Sequence, residues 1–242
     1  VNLPNEANVT PSFVEFTPEN WSTPKNVTVT AVEDWVVDGD KPITIVTSKA
    51  VTLDLGYQDF NVSDITVQAV DSGRHHVTQV IEAESAQLSA PLISVADASA
   101  QGGLFIEAPE GSGNILSPDG GAGTAVFQVN LSSAGTYAIW GLELSPAASS
   151  NSFWIQVNNG VWQNWTCYRR PGMAWTWDRV NGSVDPLLFD LPAGQHTIRL
   201  QVREDGTRLD QLILSNDPNF VPATGAPVDL PRRGGSLSGL GG

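Results

Sequence analysis

Two segments carry carboxylates where strand alternation would otherwise call for neutral residues. One is Val80-Ile81-Glu82-Ala83-Glu84; the other is Arg203-Glu204-Asp205-Gly206-Thr207-Arg208-Leu209-Asp210-Gln211-Leu212-Ile213-Leu214. Glutamates two residues apart share one face of a strand. Like charges that close repel, and they call for a cation or a water-filled setting. An aspartate arriving from the last strand of the same unit would complete a hard-oxygen set of the kind calcium takes. The competing reading pairs these carboxylates with Arg199, Arg203 or Arg208 on neighbouring strands.

A second chemistry lies in residues 161–179, which hold four Trp, one Tyr and three Arg in nineteen residues. Tryptophan offers a flat apolar face to the C–H side of a sugar ring at little rotamer cost. Asp, Asn and Arg supply planar groups for its hydroxyls. Trp175 and Trp177 are two apart and share a face if extended. Sandwich cores also take tryptophan, so Trp177 or Trp162 is expected in the core and another as a platform. Arg169, Arg170, Arg179 and Arg208 would suit a carboxylated or sulfated sugar, because guanidinium pairs with such groups through two parallel hydrogen bonds.

A third acidic group, Glu33-Asp34-Trp35-Val36-Val37-Asp38-Gly39-Asp40, has four carboxylates in eight residues. Such spacing fits a solvated loop or a calcium loop. Catalysis has less to stand on. His75 and His76 lack a third metal ligand in view, His196 falls on a strand expected at the surface, and Cys167 has no base beside it. Glu82 and Glu84 lie side by side instead of across a cleft, as a glycosidase pair would.

The elements that must position these groups are strands. The 242 residues are rich in Gly (23) and Pro (16) and only 16% charged, the profile of an all-β chain rich in turns. A net charge of −14 argues against nucleic acid, which needs clustered Lys and Arg. The single cysteine precludes an intrachain disulfide. No apolar run reaches the ~20 residues of a spanning helix, so membrane insertion is not expected.

Alternating Val and Thr predict strands at 13–17, 27–32, 44–47 and 65–70 in a first domain, 1–72. Residues 73–79 read as a linker. The second domain, 80–218, has candidate strands at 80–84, 104–107, 125–131, 136–142, 153–157, 186–190, 196–202 and 209–214, which predict a jelly-roll sandwich. Residues 219–242 form a Gly/Ser/Pro-rich linker or tail.

Phe16-Thr17-Pro18-Glu19-Asn20-Trp21, then Pro24-Lys25-Asn26-Val27-Thr28-Val29-Thr30 and the acidic loop, resemble a Calx-β repeat over about residues 11–71. The resemblance implies an immunoglobulin-like sandwich binding calcium at one end, through Glu33, Asp34, Asp38, Asp40 and Asp71. The first strands of such a repeat, and the glutamate usually found there, have no match here, so the repeat is partial.

Glu82-x-Glu84, Gly102-Gly103, the Leu191-Pro192-Ala193-Gly194-Gln195-His196-Thr197-Ile198 hairpin and Leu209-Asp210 resemble carbohydrate-binding modules of families 6 and 35 over about 79–217. This resemblance implies a structural calcium on Glu82, Glu84 and Asp210, with a carbonyl near 101–103 as a further ligand. It implies sugar binding at the loop end by Phe105, by Trp175 or Trp177, and by Asp205 or Arg208; Trp165 is a further candidate from the tryptophan-rich segment.

The expectation is a non-catalytic carbohydrate-binding module of a larger secreted or cell-surface bacterial protein, whose catalytic domain lies elsewhere in the parent chain. Its ligand would be a polysaccharide or oligosaccharide and its cofactor calcium. The alternative is an adhesion or spacer fragment with no glycan binding of its own.

Overall fold

A computed structural model describes residues 1–167, 174–182 and 186–223. It is all-β with short 3-10 turns, and it divides into two compact units, Val1–His75 and the residues from His76 onward. Among the described residues no helix is long and apolar enough to cross a membrane.

The first unit has four strands in two ladders. Strand β1 (Ala7–Thr10) pairs antiparallel with β2 (Thr28–Ala31), and β3 (Lys41–Ile45) with β4 (Ile65–Ala69). Three of the four expected strands are present within a few residues. The fourth, 13–17, is irregular: Phe13, Val14 and Phe16 are exposed, so its alternation has no second layer to face. The buried apolar side chains of this unit are Ala7 and Ile43. Two ladders do not show a Calx-β repeat.

The second unit is a sandwich of a seven-stranded and a five-stranded sheet. The first sheet holds β5 (Thr78–Glu82), β7 (Ile93–Ala96), β8 (Leu104–Glu107), β10 (Gly135–Leu144), β13 (Thr176–Arg179), β14 (Leu188–Leu191) and β16 (Arg208–Ser215). The second holds β6 (Gln87–Leu88), β9 (Thr124–Leu131), β11 (Ser152–Val157), β12 (Gln163–Thr166) and β15 (Gly194–Val202). The chain passes repeatedly from one sheet to the other, as in a jelly roll.

Alternation fixes the inner faces. Ala125, Phe127, Val129 and Leu131 on β9 are buried, while Gln128 and Asn130 between them are exposed. Ile198, Leu200 and Val202 on β15 join Tyr137, Ile139, Phe153, Ile155, Leu212 and Leu214 in one core. Gly141 is required where β10 passes Trp165, because a Cβ there would lie 2.1 Å from the indole Cη2.

The element boundaries correct two expectations. Thr78 and Gln79 belong to β5, paired with Ser215 and Leu214, so the link between units is shorter than 73–79. Strand β5 ends at Glu82, and Ala83–Ser85 form a 3-10 turn, so Glu84 does not continue the strand. His196 is also buried, its Nε2 against the Pro192 carbonyl at 2.8 Å and Nδ1 against the Asn158 amide at 3.1 Å. The expected surface position is therefore wrong: on β15 it falls in register with the core residues.

Candidate functional site

The carboxylates singled out in the sequence converge in the second unit. Strand β16 pairs with β10 through a bulge, where the partners step from Leu142↔Gln211 to Glu143↔Leu209 and Asp210 is the extra residue. Asp210 is wholly buried, and its Oδ2 accepts a hydrogen bond from the Gln101 N–H at 2.7 Å. Gln101–Gly103 form a tight turn in which Gly102 has φ 69°, and a Cβ on Gly102 would sit 3.7 Å from Glu84 Oε1. Glu82 Oε1 accepts from Gln211 Nε2 at 2.8 Å, since residues 82 and 211 pair directly across β5 and β16.

One oxygen of each acid has no protein partner: Glu82 Oε2, Glu84 Oε2 and Asp210 Oδ1 are buried without a hydrogen bond, as is the neighbouring Gln211 Oε1. Burial pushes Asp210 up to about 7; the Gln101 N–H opposes this, and Glu82, Glu84 and Asp97 add to it. Glu82 is raised chiefly by burial, lowered by Gln211 and raised again by Glu84. The arginines of the competing reading are engaged elsewhere: Arg203 with Glu204, Arg208 with Glu107, and Arg199 with Gln156 and the Asn158 carbonyl. Buried acids with orphaned oxygens and no counter-charge are costly, and a hard cation is the group whose chemistry they fit. Glu82, Glu84, Asp210 and the 101–103 carbonyls are the residues that could hold one. The set is a loose one: among the described residues, carboxylate oxygens that all lie within 4.8 Å of one another occur at Glu6, Asp34 and Asp38.

Next to this cluster lie three of the residues expected to meet sugar. Trp175 contacts Phe105 edge-on at 5.5 Å between ring centroids, and the Arg208 guanidinium sits 5.2 Å from the Phe105 ring. Trp175 Nε1 donates to Ser99 Oγ at 3.2 Å, and Arg208 Nε donates to Glu107 Oε2 at 2.8 Å. Asp97, which caps Ser99 at 2.8 Å, is lowered first by those Ser99 hydrogen bonds and further by Arg208. The loop 97–103 thus touches both the aromatic group, through Ser99, and the carboxylate group, through Gln101.

Several expected roles are corrected. Phe105 is only 2% exposed, so it supports Trp175 and Arg208 from beneath and offers no open platform. Trp165 is fully buried against Phe153, with its Nε1 donating to Asp178 Oδ2 at 3.0 Å; it is the core tryptophan of its segment. Trp162 and Trp177, one of which was expected in that role, are half-buried. Asp205 is buried and its carboxylate receives the Gly113 N–H at 2.7 Å, tying down the 110–114 loop. Arg179 stacks over Trp140 at 5.3 Å. Arg169 and Arg170 lie outside the described residues.

Sequence reasoning passed over Ser99, Glu107 and Gln211, which orient Trp175, Arg208 and Glu82. It also passed over Glu143, which is 1% exposed on the inner face of β10. Burial pushes this carboxyl up to about 8, with Ser145 opposing and Asp178 adding. Its Oε2 accepts from Ser145 Oγ, and its Oε1 has no partner. The signal available was an acid near the end of a largely apolar strand.

In the first unit the expected calcium ligands are held by the backbone. Asp71 Oδ2 accepts from the N–H groups of Asp38 (2.9 Å) and Gly39 (2.7 Å), and its Oδ1 from Gly73 (2.7 Å). Asp40 accepts from Asp71 N–H at 2.9 Å, Asp34 from Val36 N–H at 3.0 Å and Glu33 from Trp35 N–H at 3.3 Å. These bonds lower Asp71, the Gly73 contact most.

No protein-family model matches the chain. An uncharacterized protein of Formosa agariphila is 24% identical over 128 residues, 47% of this chain and 30% of that protein. The chain therefore spans about a third of the length of this curated relative. Among solved structures, a family 35 carbohydrate-binding module from Clostridium thermocellum is 20% identical, covering 57% of this chain and 98% of its own, with a TM-score of 0.43. The C-terminal family 6 module of a marine laminarinase from Zobellia galactanivorans is 18% identical over 57% of this chain and 99% of its own, at 0.42. A family 26 mannanase with a family 35 module from Podospora anserina is 18% identical over 60% of this chain and 29% of its own, at 0.44.

Proposed function

We propose that the second unit is a non-catalytic carbohydrate-binding module of a larger secreted, polysaccharide-acting protein, with a structural calcium on Glu82, Glu84 and Asp210. The observation that carries this reading is the adjacency of two groups on one loop. Ser99 of the 97–103 loop orients the Trp175 indole, and the Gln101 N–H of the same loop fixes the buried carboxylate of Asp210. A half-buried indole beside a guanidinium suits a sugar ring that carries an acidic or sulfated substituent. No described constellation of nucleophile and base accompanies it, and of the clustered carboxylates Asp210 is wholly buried while Glu82 and Glu84 are half-buried.

In this reading Trp175 stacks on the ring, Arg208 reads a substituent, and the cation fixes the 97–103 loop, whose Ser99 orients Trp175. Binding would keep a tethered enzyme close to its glycan and raise its effective concentration there. Affinity electrophoresis through acidic, sulfated and neutral polysaccharides, in calcium, tests it. Retardation on at least one gel, weakened by about fivefold or more in Trp175→Ala, is expected, taking the about 1–3 kcal/mol per ring that aromatic stacking contributes for nucleobases as the scale. Free migration through the whole panel would leave the adhesion or spacer role in its place.

A further inference from the structure

The Calx-β resemblance implies calcium in the acidic loop of the first unit, and the charges there are arranged otherwise. We propose that the resident cation of this loop is the Lys41 ammonium, so that the loop is closed by a charge belonging to the chain and calcium must displace it to enter.

Glu6 immediately precedes β1, Asp34 and Asp38 lie in the loop after β2, and Lys41 opens β3. Glu6, Asp34 and Asp38 each bring one carboxylate oxygen to within 4.8 Å of the other two. Three negative charges at that separation repel unless a positive charge lies among them. Lys41 Nζ donates to Glu6 Oε1 at 2.6 Å and also to Asp38 Oδ2, so it bridges two of the three. The lysine is held well above its ordinary range, first by Asp38 and then by Glu6.

The remaining acids of the loop are committed in part, so Glu6, Asp34 and Asp38 are the carboxylates a cation would meet there. Calcium takes about six to eight oxygen ligands. Asp71 receives three backbone N–H groups, and Asp40, Asp34 and Glu33 each give one oxygen to a backbone N–H, so one oxygen of each of these three is already a cap of the loop backbone. An ammonium needs only a few acceptors and brings its own tether, which matches what Glu6 and Asp38 leave available.

Equilibrium dialysis with calcium tests this on the full chain carrying Asp210→Asn, which disables the site proposed in the second unit. With Lys41 intact, no calcium should bind at about 1 mM, the upper range for extracellular modules. Adding Lys41→Met should create one equivalent of binding at that concentration, because the competing positive charge is gone; Lys41→Arg should create none. Stoichiometric binding with Lys41 intact overturns the proposal, and so does no gain in a folded Lys41→Met chain. Should Lys41→Met not fold, the 15Nζ resonance of Lys41 in the unsubstituted chain decides. A slowly exchanging ammonium unmoved by about 1 mM calcium is expected, and a freely exchanging one overturns it.

Discussion

The two units are built from similar residues and held in different ways. In the second, strands from two sheets turn their apolar faces toward each other, and Trp165, Phe127, Phe153 and Ile198 disappear from solvent. In the first, Trp21, Phe13 and Leu55 stay exposed, and order comes from carboxylates capping backbone N–H groups and from the Lys41 pairings. Alternating Val and Thr create a strand, but only a facing layer turns alternation into a core. The comparison yields expectations that differ between the units for the same kind of change.

Trp165→Ala should have the largest effect, destabilising the second unit by about 3–5 kcal/mol in urea unfolding, because a fully buried indole leaves a cavity. The parallel change Trp21→Ala in the first unit should cost less than about 0.5 kcal/mol. Equal costs would erase the contrast. Glu143 should come next, in the pH dependence of the same transition. The folded carboxyl keeps its proton up to about 8, while an exposed one loses it near 4.5. The stabilisation is thus complete below 4.5 and is lost as pH rises through 8. Glu143→Gln should flatten that slope, worth a few kcal/mol across the window; an unchanged slope would place the acid in a wetter setting.

Calcium at one hundred times its dissociation constant should raise the stability of the second unit by about 2.7 kcal/mol, and EDTA or Asp210→Asn should remove the gain. The first unit should not respond to either. A further effect is local: Asp71→Ala should cost about 1 kcal/mol by uncapping the Gly39 and Gly73 amides, seen as faster hydrogen exchange confined to that loop.

How far sequence reached follows the same division. The strands at 125–131 and 153–157 were legible because burial on one face writes a period of two into the residues, and those at 104–107 and 209–214 as short, mostly apolar runs. Strands β6, β7, β12 and β13 were not, since they are short, and Trp162, Trp165, Trp175 and Trp177 mix core and surface roles within one segment. Spacing alone could not tell that Trp165 would lie across Gly141 while Trp175 reached Phe105; that choice is made by partners far along the chain. The carboxylate trio was found because acids on an apolar pattern are conspicuous. Its supporting groups, Gln211 and the Gln101 amide, are chemically ordinary and become visible only in three dimensions.

The pairing of Thr78 with Ser215 has a mechanical consequence. The strand that enters the sandwich and the strand that leaves it run side by side and antiparallel, so both connections emerge at the same edge. Tension between them would open the β5–β16 ladder one hydrogen bond at a time from that end, instead of loading all its rungs together. The sandwich is therefore a weak link under pulling along the chain. Inserted between other segments, it would hang beside the line of force like a pendant, held by the first rungs of that ladder.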